Sequence, residues 1–246
     1  MIKSLKKLLI FLLPVSLYKQ YHLYKSLRSF WGLPTKEVFN KIYQENVWGV
    51  SQEDGQRFFS GPGSHDAQVV SVYVDAVTLF LSEFKQKPTV VDLGCGDFNI
   101  GSKLRPLSEN YIACDIVDDL IAFNKTKFQA LDVDFRVLDI ISEPLPAGDV
   151  VFIRQVLQHL SNKQILRVIP KIQDNFKFLL LTEHLPNHQK FKPNKDKPAG
   201  PNIRTDIDSG IVITQAPFNL RCVMQKELCR VQIEDGVIIT TAYQLH

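Results

Sequence analysis

The sequence predicts an α/β fold: a doubly wound, mostly parallel sheet with an N-terminal helical extension and a C-terminal antiparallel hairpin. Three observations predict it. Between residues 89 and 183, short apolar, β-branched runs alternate with stretches of helical spacing. The first of these runs, Thr89–Leu93, enters a glycine turn at Gly94-Cys95-Gly96 and then a helix. Near the C-terminus two apolar runs flank Glu234-Asp235-Gly236, which places Asp-Gly at a hairpin turn. A length of 246 residues suits one large domain with an extension. We divide it into a basic, apolar segment over 1–35, a helical cap over 36–88 and the sheet domain over 89–246.

Residues 1–18 read MIKSLKKLLIFLLPVSLY. The apolar run from Leu8 to Leu17 is broken by Pro14 and is about half of the roughly 20 residues that a spanning helix needs. Residues 1–30 carry six Lys and Arg and no acid, which leaves −3 for the rest of a chain of formal net charge +3. Two readings stand. Residues 1–30 form a basic amphipathic segment lying on an anionic membrane surface, or they pack on the body as an ordinary helix. No small-x-small cleavage site follows, so a cytoplasmic protein, with or without membrane association, is expected.

Lys36–Gln44 (KEVFNKIYQ) puts Val38, Phe39, Ile42 and Tyr43 on one face of a short helix. Asn46-Val47-Trp48-Gly49 and Ser60-Gly61-Pro62-Gly63-Ser64 mark turns. They read either as a connector or as a loop that closes over the glycine turn, with Trp48 stacking on a flat ring. Asp66 to Lys85 repeats apolar residues at helical spacing and predicts a long helix against the first strand.

Beyond the glycine turn, the pattern predicts a strand Tyr111–Asp115, a helix Asp118–Lys127 and a strand Val133–Leu138. A loop with two prolines over Asp139–Gly148 and a strand Asp149–Ile153 come next. A helical stretch runs from there through Leu160 and on to Ile172, followed by a strand Phe178–Glu183. Residues 184–209 hold four prolines and four lysines and read as a long, polar, mobile loop. Gly210–Ile213 and Arg221–Gln225 read as short strands, and Cys229–Ile233 with Val237–Tyr243 as the hairpin. The cysteines, Cys95, Cys114, Cys222 and Cys229, are scattered, with no CxxC pair and no metal-ligand spacing, so a reducing compartment and no metal site are expected.

The chemistry gathers at the strand ends. The glycines fall at 94, 96 and 101, whereas a dinucleotide fingerprint needs G-x-G-x-x-G and position 99 is Asn99. Ser102-Lys103 is the wrong order for a phosphate-binding Lys-Ser pair. Asp115 ends the second strand about 20 residues after the turn, where a carboxylate accepts both hydroxyls of a ribose. Asp139 ends the third strand, placed to accept from an exocyclic adenine amine, with Ile140 covering the ring. Each Asp alone reads equally as a helix cap or turn residue.

VVDLGCGDFNIG, YIACDIV, FRVLDI and DVVFIRQVLQHL resemble, in order and spacing, the successive motifs of class I S-adenosylmethionine-dependent methyltransferases over Thr89 to Glu183. NVWG, SGPGS, CGDFN, RQVLQHL and APFNL are similar to an uncharacterised bacterial methyltransferase family of this class, with Ile100 where that family commonly has tryptophan. The resemblance implies S-adenosyl-L-methionine as cofactor. By it, Gly94 and Gly96 face the methionine part, Asp115 the ribose and Asp139 the adenine, with Cys95, Ile116 and Ile140 also among the cofactor-binding residues.

Arg154 reads as a partner of the methionine carboxylate or as an ion-pair partner of Asp92 or Asp97. Asp97 reads as a ligand of the methionine ammonium or as a helix cap. His159 is the candidate general base, and equally a packed or solvated histidine. Glu183 and His184 end the fifth strand as lesser candidates. No Asn/Asp-Pro-Pro-Tyr/Phe follows the fourth strand and the body is mildly acidic. Both features point away from nucleic acid and toward a small-molecule, lipid or glycan acceptor. The alternatives are a methyltransferase-like binding protein without catalysis and a nucleotide-linked oxidoreductase.

Overall fold

A computed structural model describes residues 28–53 and 55–246. The expectation of membrane contact through residues 1–30 therefore falls almost wholly outside the described residues. Seven strands form one sheet in the order β3-β2-β1-β4-β5-β7-β6. β1 (Val90–Leu93), β2 (Tyr111–Asp115), β3 (Asp134–Val137), β4 (Val150–Arg154) and β5 (Phe178–Leu185) run parallel. β6 (Met224–Ile233) and β7 (Gly236–Gln244) form the hairpin, and β7 inserts antiparallel against β5.

The side-chain alternation of these strands builds a core on each face. Val90, Phe152, Leu180 and Ala242 pack under α2 (Ala67–Ser82), α3 (Asn99–Leu104) and α4 (Asp118–Lys127). Val91, Leu93, Val151 and Leu179 pack under α5 (Asn162–Asn175) together with Ile211, Ile213 and Phe218. β1 is buried along its whole length, as a central parallel strand with both faces covered must be. Outside the sheet, α1 (Thr35–Gln44) packs Val38 and Ile42 on Phe30.

Three expectations are corrected. The helical stretch from the end of β4 to Ile172 is two elements, a 3-10 turn over Leu157–His159 and then α5. Ser161 separates them because it caps α5: its Oγ accepts from Gln164 N, and Gln164 Oε1 accepts from Ser161 N at 2.8 Å. Gly210–Ile213 and Arg221–Gln225 are not strands of their own. The first packs as irregular backbone on the α5 face, and pairing in the second region starts only at Met224, in β6. Residues 184–209 are only partly solvated: His188, Gln189 and Lys190 are exposed, but several polar residues are interior. Asn194 is buried and donates from Nδ2 to Val212 O at 2.9 Å and Ala216 O at 3.0 Å. Arg204 is fully buried and donates from Nη2 to Leu160 O at 2.7 Å. A polar sequence is held in the interior because its polar groups find partners there.

Candidate active site at the sheet edge

The turn after β1 is fixed from below. Gly94 N and Cys95 N donate to Cys114 O at 2.8 and 2.9 Å, and Gly96 N donates to Asp115 Oδ2 at 3.1 Å. Gly94 and Gly96 have φ of 81° and 55°, in the left-handed region that glycine enters without strain. They are also cradles that side chains would fill. A Cβ on Gly94 would collide with Val156, and one on Gly96 with Ser60 Oγ.

A roof lies above the turn. Ser60 N donates to Asp97 Oδ2 at 2.9 Å, and Asp97 N donates back to Ser60 Oγ at 2.7 Å. His65 Nε2 lies 2.6 Å from Asp97 Oδ2, and Asn99 Nδ2 donates to Ser64 O at 2.7 Å. Arg154 donates to Ser64 Oγ at 3.1 Å and to Gly63 O, with its guanidinium 4.9 Å from the Tyr73 ring centre. Of the two readings of Ser60–Ser64, the closing loop is the observed one. Asp97 spends both oxygens on this loop and on Asn99 N, and it does not line the cavity. Arg154 does line it, forms no ion pair with Asp92 or Asp97, and leaves its buried Nε without a partner.

Roof, turn and strand ends enclose one cavity of about 480 Å³, within the range of small-molecule sites. Gly94, Cys95, Gly96, Asp115, Ile116, Asp139, Ile140, Arg154 and His159 all line it. Asp115 Oδ1 accepts from Val117 N at 3.1 Å. Burial pushes its carboxyl up to about 6, against the lowering effect of the Val117 and Gly96 amides. Asp139 plays the turn role as well, accepting from Ile141 N at 2.9 Å and Ser142 Oγ at 2.6 Å. Asp92, one pleat below, accepts from Tyr111 Oη at 2.9 Å and is pushed up to about 7, chiefly by burial.

His159 sits in the opposite wall. Its Nδ1 is 3.2 Å from Gly200 O, and a carbonyl only accepts, so Nδ1 carries the hydrogen. Its ring lies 4.9 Å from Trp48 and edge-on to Phe39 at 6.4 Å. Burial, followed by the nearby Lys197 charge, pushes it down to about 3, so it is neutral at ordinary pH. Trp48 is packed among Tyr43, Phe39 and His159, and its Nε1 donates to Pro201 O at 3.2 Å. The indole thus joins the cap to the 184–209 segment across the cavity.

Several lining residues escaped the sequence reading. Tyr43 Oη bonds Ser60 Oγ at 3.1 Å beside the glycine turn. Gln155 directly follows β4 with φ 56°, a conformation rare for a side-chain-bearing residue and typical of functional sites. Pro201, Ile203 and Asp235 come from segments whose path depends on long-range packing, whereas His184, a lesser candidate in the sequence, does line the cavity. Among the described residues, no group of three or more His, Cys, Asp or Glu is placed to hold a metal ion, and no helix is long and apolar enough to cross a membrane.

Residues 90–177 match the model of a family described as a methyltransferase domain. The fold is similar to that of magnesium protoporphyrin IX methyltransferase from Synechocystis PCC 6803 with bound SAM (TM-score 0.54, 15% identity, covering 87% of this chain and 99% of that one). It is also similar to the N-methyltransferase NodS from Bradyrhizobium japonicum WM9 in complex with S-adenosyl-L-homocysteine (0.58, 14%, 83% and 98%). Human N-acetylserotonin methyltransferase in complex with SAM is a third (0.54, 18%, 94% and 67%). No curated protein sequence matches the chain.

Proposed function

We propose that this chain, which has the class I methyltransferase fold and a match to the methyltransferase domain over residues 90–177, transfers a methyl group from S-adenosyl-L-methionine to a small-molecule, lipid or glycan acceptor. One observation carries the proposal. A single cavity joins the glycine turn, Asp115 and Asp139 to a wall made by Trp48, His159, Pro201 and His184. A cofactor and an acceptor can meet there without leaving the protein interior.

The residues fit the cofactor. The two glycine cradles leave room for backbone approach, and the buried Asp115 has lone pairs beyond the two it gives to amides. Ile116 and Ile140 flank the end where a flat ring would lie, and Arg154 offers an unpaired N–H for a carboxylate. When bound, the cofactor supplies an electrophilic methyl group on a sulfonium. The protein's part is to align that methyl with a nucleophile and to keep water out, which supplies most of the acceleration in such a displacement. The roof of residues 60–65 and the Trp48–Pro201 contact serve the second task.

Residues 1–30 carry a second part of the proposal, contact of the chain with an anionic membrane surface from the cytoplasmic side, which suits a lipid-borne acceptor. Calorimetry with S-adenosyl-L-homocysteine and with NAD tests the cofactor. Binding of the first and not the second is expected, and the reverse sinks the proposal in favour of an oxidoreductase. Incubation of the protein and 13C-methyl cofactor with fractionated cell extract tests catalysis. Transfer into a fraction is expected, and binding without transfer to any fraction would leave the non-catalytic binding protein.

A further inference from the structure

His184, which lines the cavity, has so far been given no chemical role. His184 lies on β5 in register with Ile238 of β7, two residues beyond Thr182, which pairs with Arg154 of β4. It therefore projects on the same sheet face as Arg154, and both residues line the cavity. It is 4% exposed, it lines the cavity, and its buried Nε2 has no hydrogen-bond partner. Asp235, on the β6–β7 turn, has Oδ1 3.6 Å from that nitrogen. Glu234 beside it lines the same cavity. A Cβ at position 236 would collide with the His184 imidazole, so Gly236 lets the turn lie against the ring.

We propose that His184, oriented by Asp235, takes the proton of the acceptor, and that the acceptor nucleophile is a hydroxyl. This rests on the methyl-transfer reading above. The Asp235 carboxylate, 3.6 Å from Nε2 and so near it without a hydrogen bond, favours the hydrogen on that nitrogen by its charge, which leaves Nδ1 as the accepting nitrogen. As the acceptor oxygen forms its bond to the methyl carbon, its proton passes to Nδ1. The S–CH3 bond breaks with its electron pair going to sulfur, and imidazolium and a neutral thioether remain. An alcohol or phenol needs such a base to become a competent nucleophile at neutral pH. A neutral amine attacks first and loses its proton afterwards.

His159 suits the role less, because it is locked onto Gly200 and packed between Trp48 and Phe39. The charged groups that act on His184 are Asp235 and Asp206, both of which favour its protonation, while burial opposes it and prevails. The imidazole is thus neutral before reaction and is flanked by carboxylates that favour the cation formed during it.

Long-range 1H–15N spectra of the 15N-histidine-labelled full chain, with and without S-adenosyl-L-homocysteine, test the arrangement. The signals lost in His184→Gln should report a neutral ring with hydrogen on Nε2. Asp235→Asn should lower the pKa of that ring and weaken its tautomer preference, and Asp235→Glu should restore both. Hydrogen on Nδ1, or a ring indifferent to Asp235→Asn, overturns the proposal. In the extract assay, His184→Gln should lower transfer at least about 100-fold, the usual contribution of a general base, with S-adenosyl-L-homocysteine affinity within about twofold. The 13C shift of the transferred methyl should report attachment to oxygen, and attachment to nitrogen overturns the hydroxyl assignment. Failure of the wild-type chain to bind S-adenosyl-L-homocysteine would instead sink the methyl-transfer reading, while the tautomer is still read on the protein alone.

Discussion

Replacing Asp115 separates its two duties. The carboxylate accepts from Gly96 N and Val117 N, both at 3.1 Å, and it is buried. Asp115→Ala leaves two amides without their side-chain acceptor, at a cost of up to about 1–3 kcal/mol of stability each. On the proposed ribose assignment, the same change also removes the acceptor for the ribose hydroxyls. Charge-assisted hydrogen bonds are worth about 1.5–3 kcal/mol. At about 1.4 kcal/mol per decade, that weakens cofactor binding roughly 10- to 150-fold. Asp115→Asn keeps the size and one acceptor oxygen, so it should stay folded more readily and still lose most of the affinity. Calorimetric titration with S-adenosyl-L-homocysteine, alongside urea unfolding of each variant, reads both effects. A folded Asp115→Asn that binds within twofold of the wild type would refute the ribose assignment.

The raised Asp115 pKa, about 6, makes two predictions of opposite sign. Cofactor affinity should fall as pH drops from 7 to 5, because the carboxylate proposed to accept from the ribose is lost, and Asp115→Asn should flatten that dependence in the same calorimetry. Stability of the ligand-free chain should respond the other way: a folded pKa above the unfolded value gives a contribution fully present below about pH 4 and lost as pH rises through about 6, visible as a difference between wild-type and Asp115→Asn melting curves. Asp97→Ala should destabilise the chain by about 1–3 kcal/mol through the unpaired Ser60 amide and expose residues 60–65 to protease, and an unchanged cleavage pattern would show that the roof is held otherwise. Replacing Lys3, Lys6 and Lys7 by Glu should reduce flotation with anionic vesicles and leave S-adenosyl-L-homocysteine binding intact, whereas equal flotation would remove the membrane contact.

β2 and α4 were legible to the residue, as Tyr111–Asp115 and Asp118–Lys127. A buried strand and a helix with acids first and lysines last leave a strong local pattern. The start of α5 was missed, because the apolar periodicity running through it hid the capping-box spacing of Ser161-Asn162-Lys163-Gln164. The 184–209 segment was not legible. Its polar side chains look solvated until Asn194 and Arg204 meet Val212, Ala216 and Leu160, which lie far along the chain. Ile211 and Ile213 look like strand residues, but β7 takes the edge of β5 and the two isoleucines pack on the α5 face instead. The placement of Asp115, Asp139 and Arg154 on the cavity wall could be anticipated because the parallel strands set where their ends fall. Tyr43 and Asp235 could not, since their places depend on how the cap and hairpin close over the sheet.

The place of β7 has a bearing on biosynthesis. The last strand in the sequence is an interior strand of the sheet, paired with β5 along Phe178–Leu185 on one side and with β6 on the other. While the ribosome is still making residues 236–244, β5 has an open edge and β6 has no partner at all. The nascent chain is then most exposed to mispairing and most in need of chaperones. A stop codon before Gly236 would leave a permanent gap at the wall that carries His184, rather than a trimmed rim, so early termination should yield insoluble protein and not a shortened enzyme.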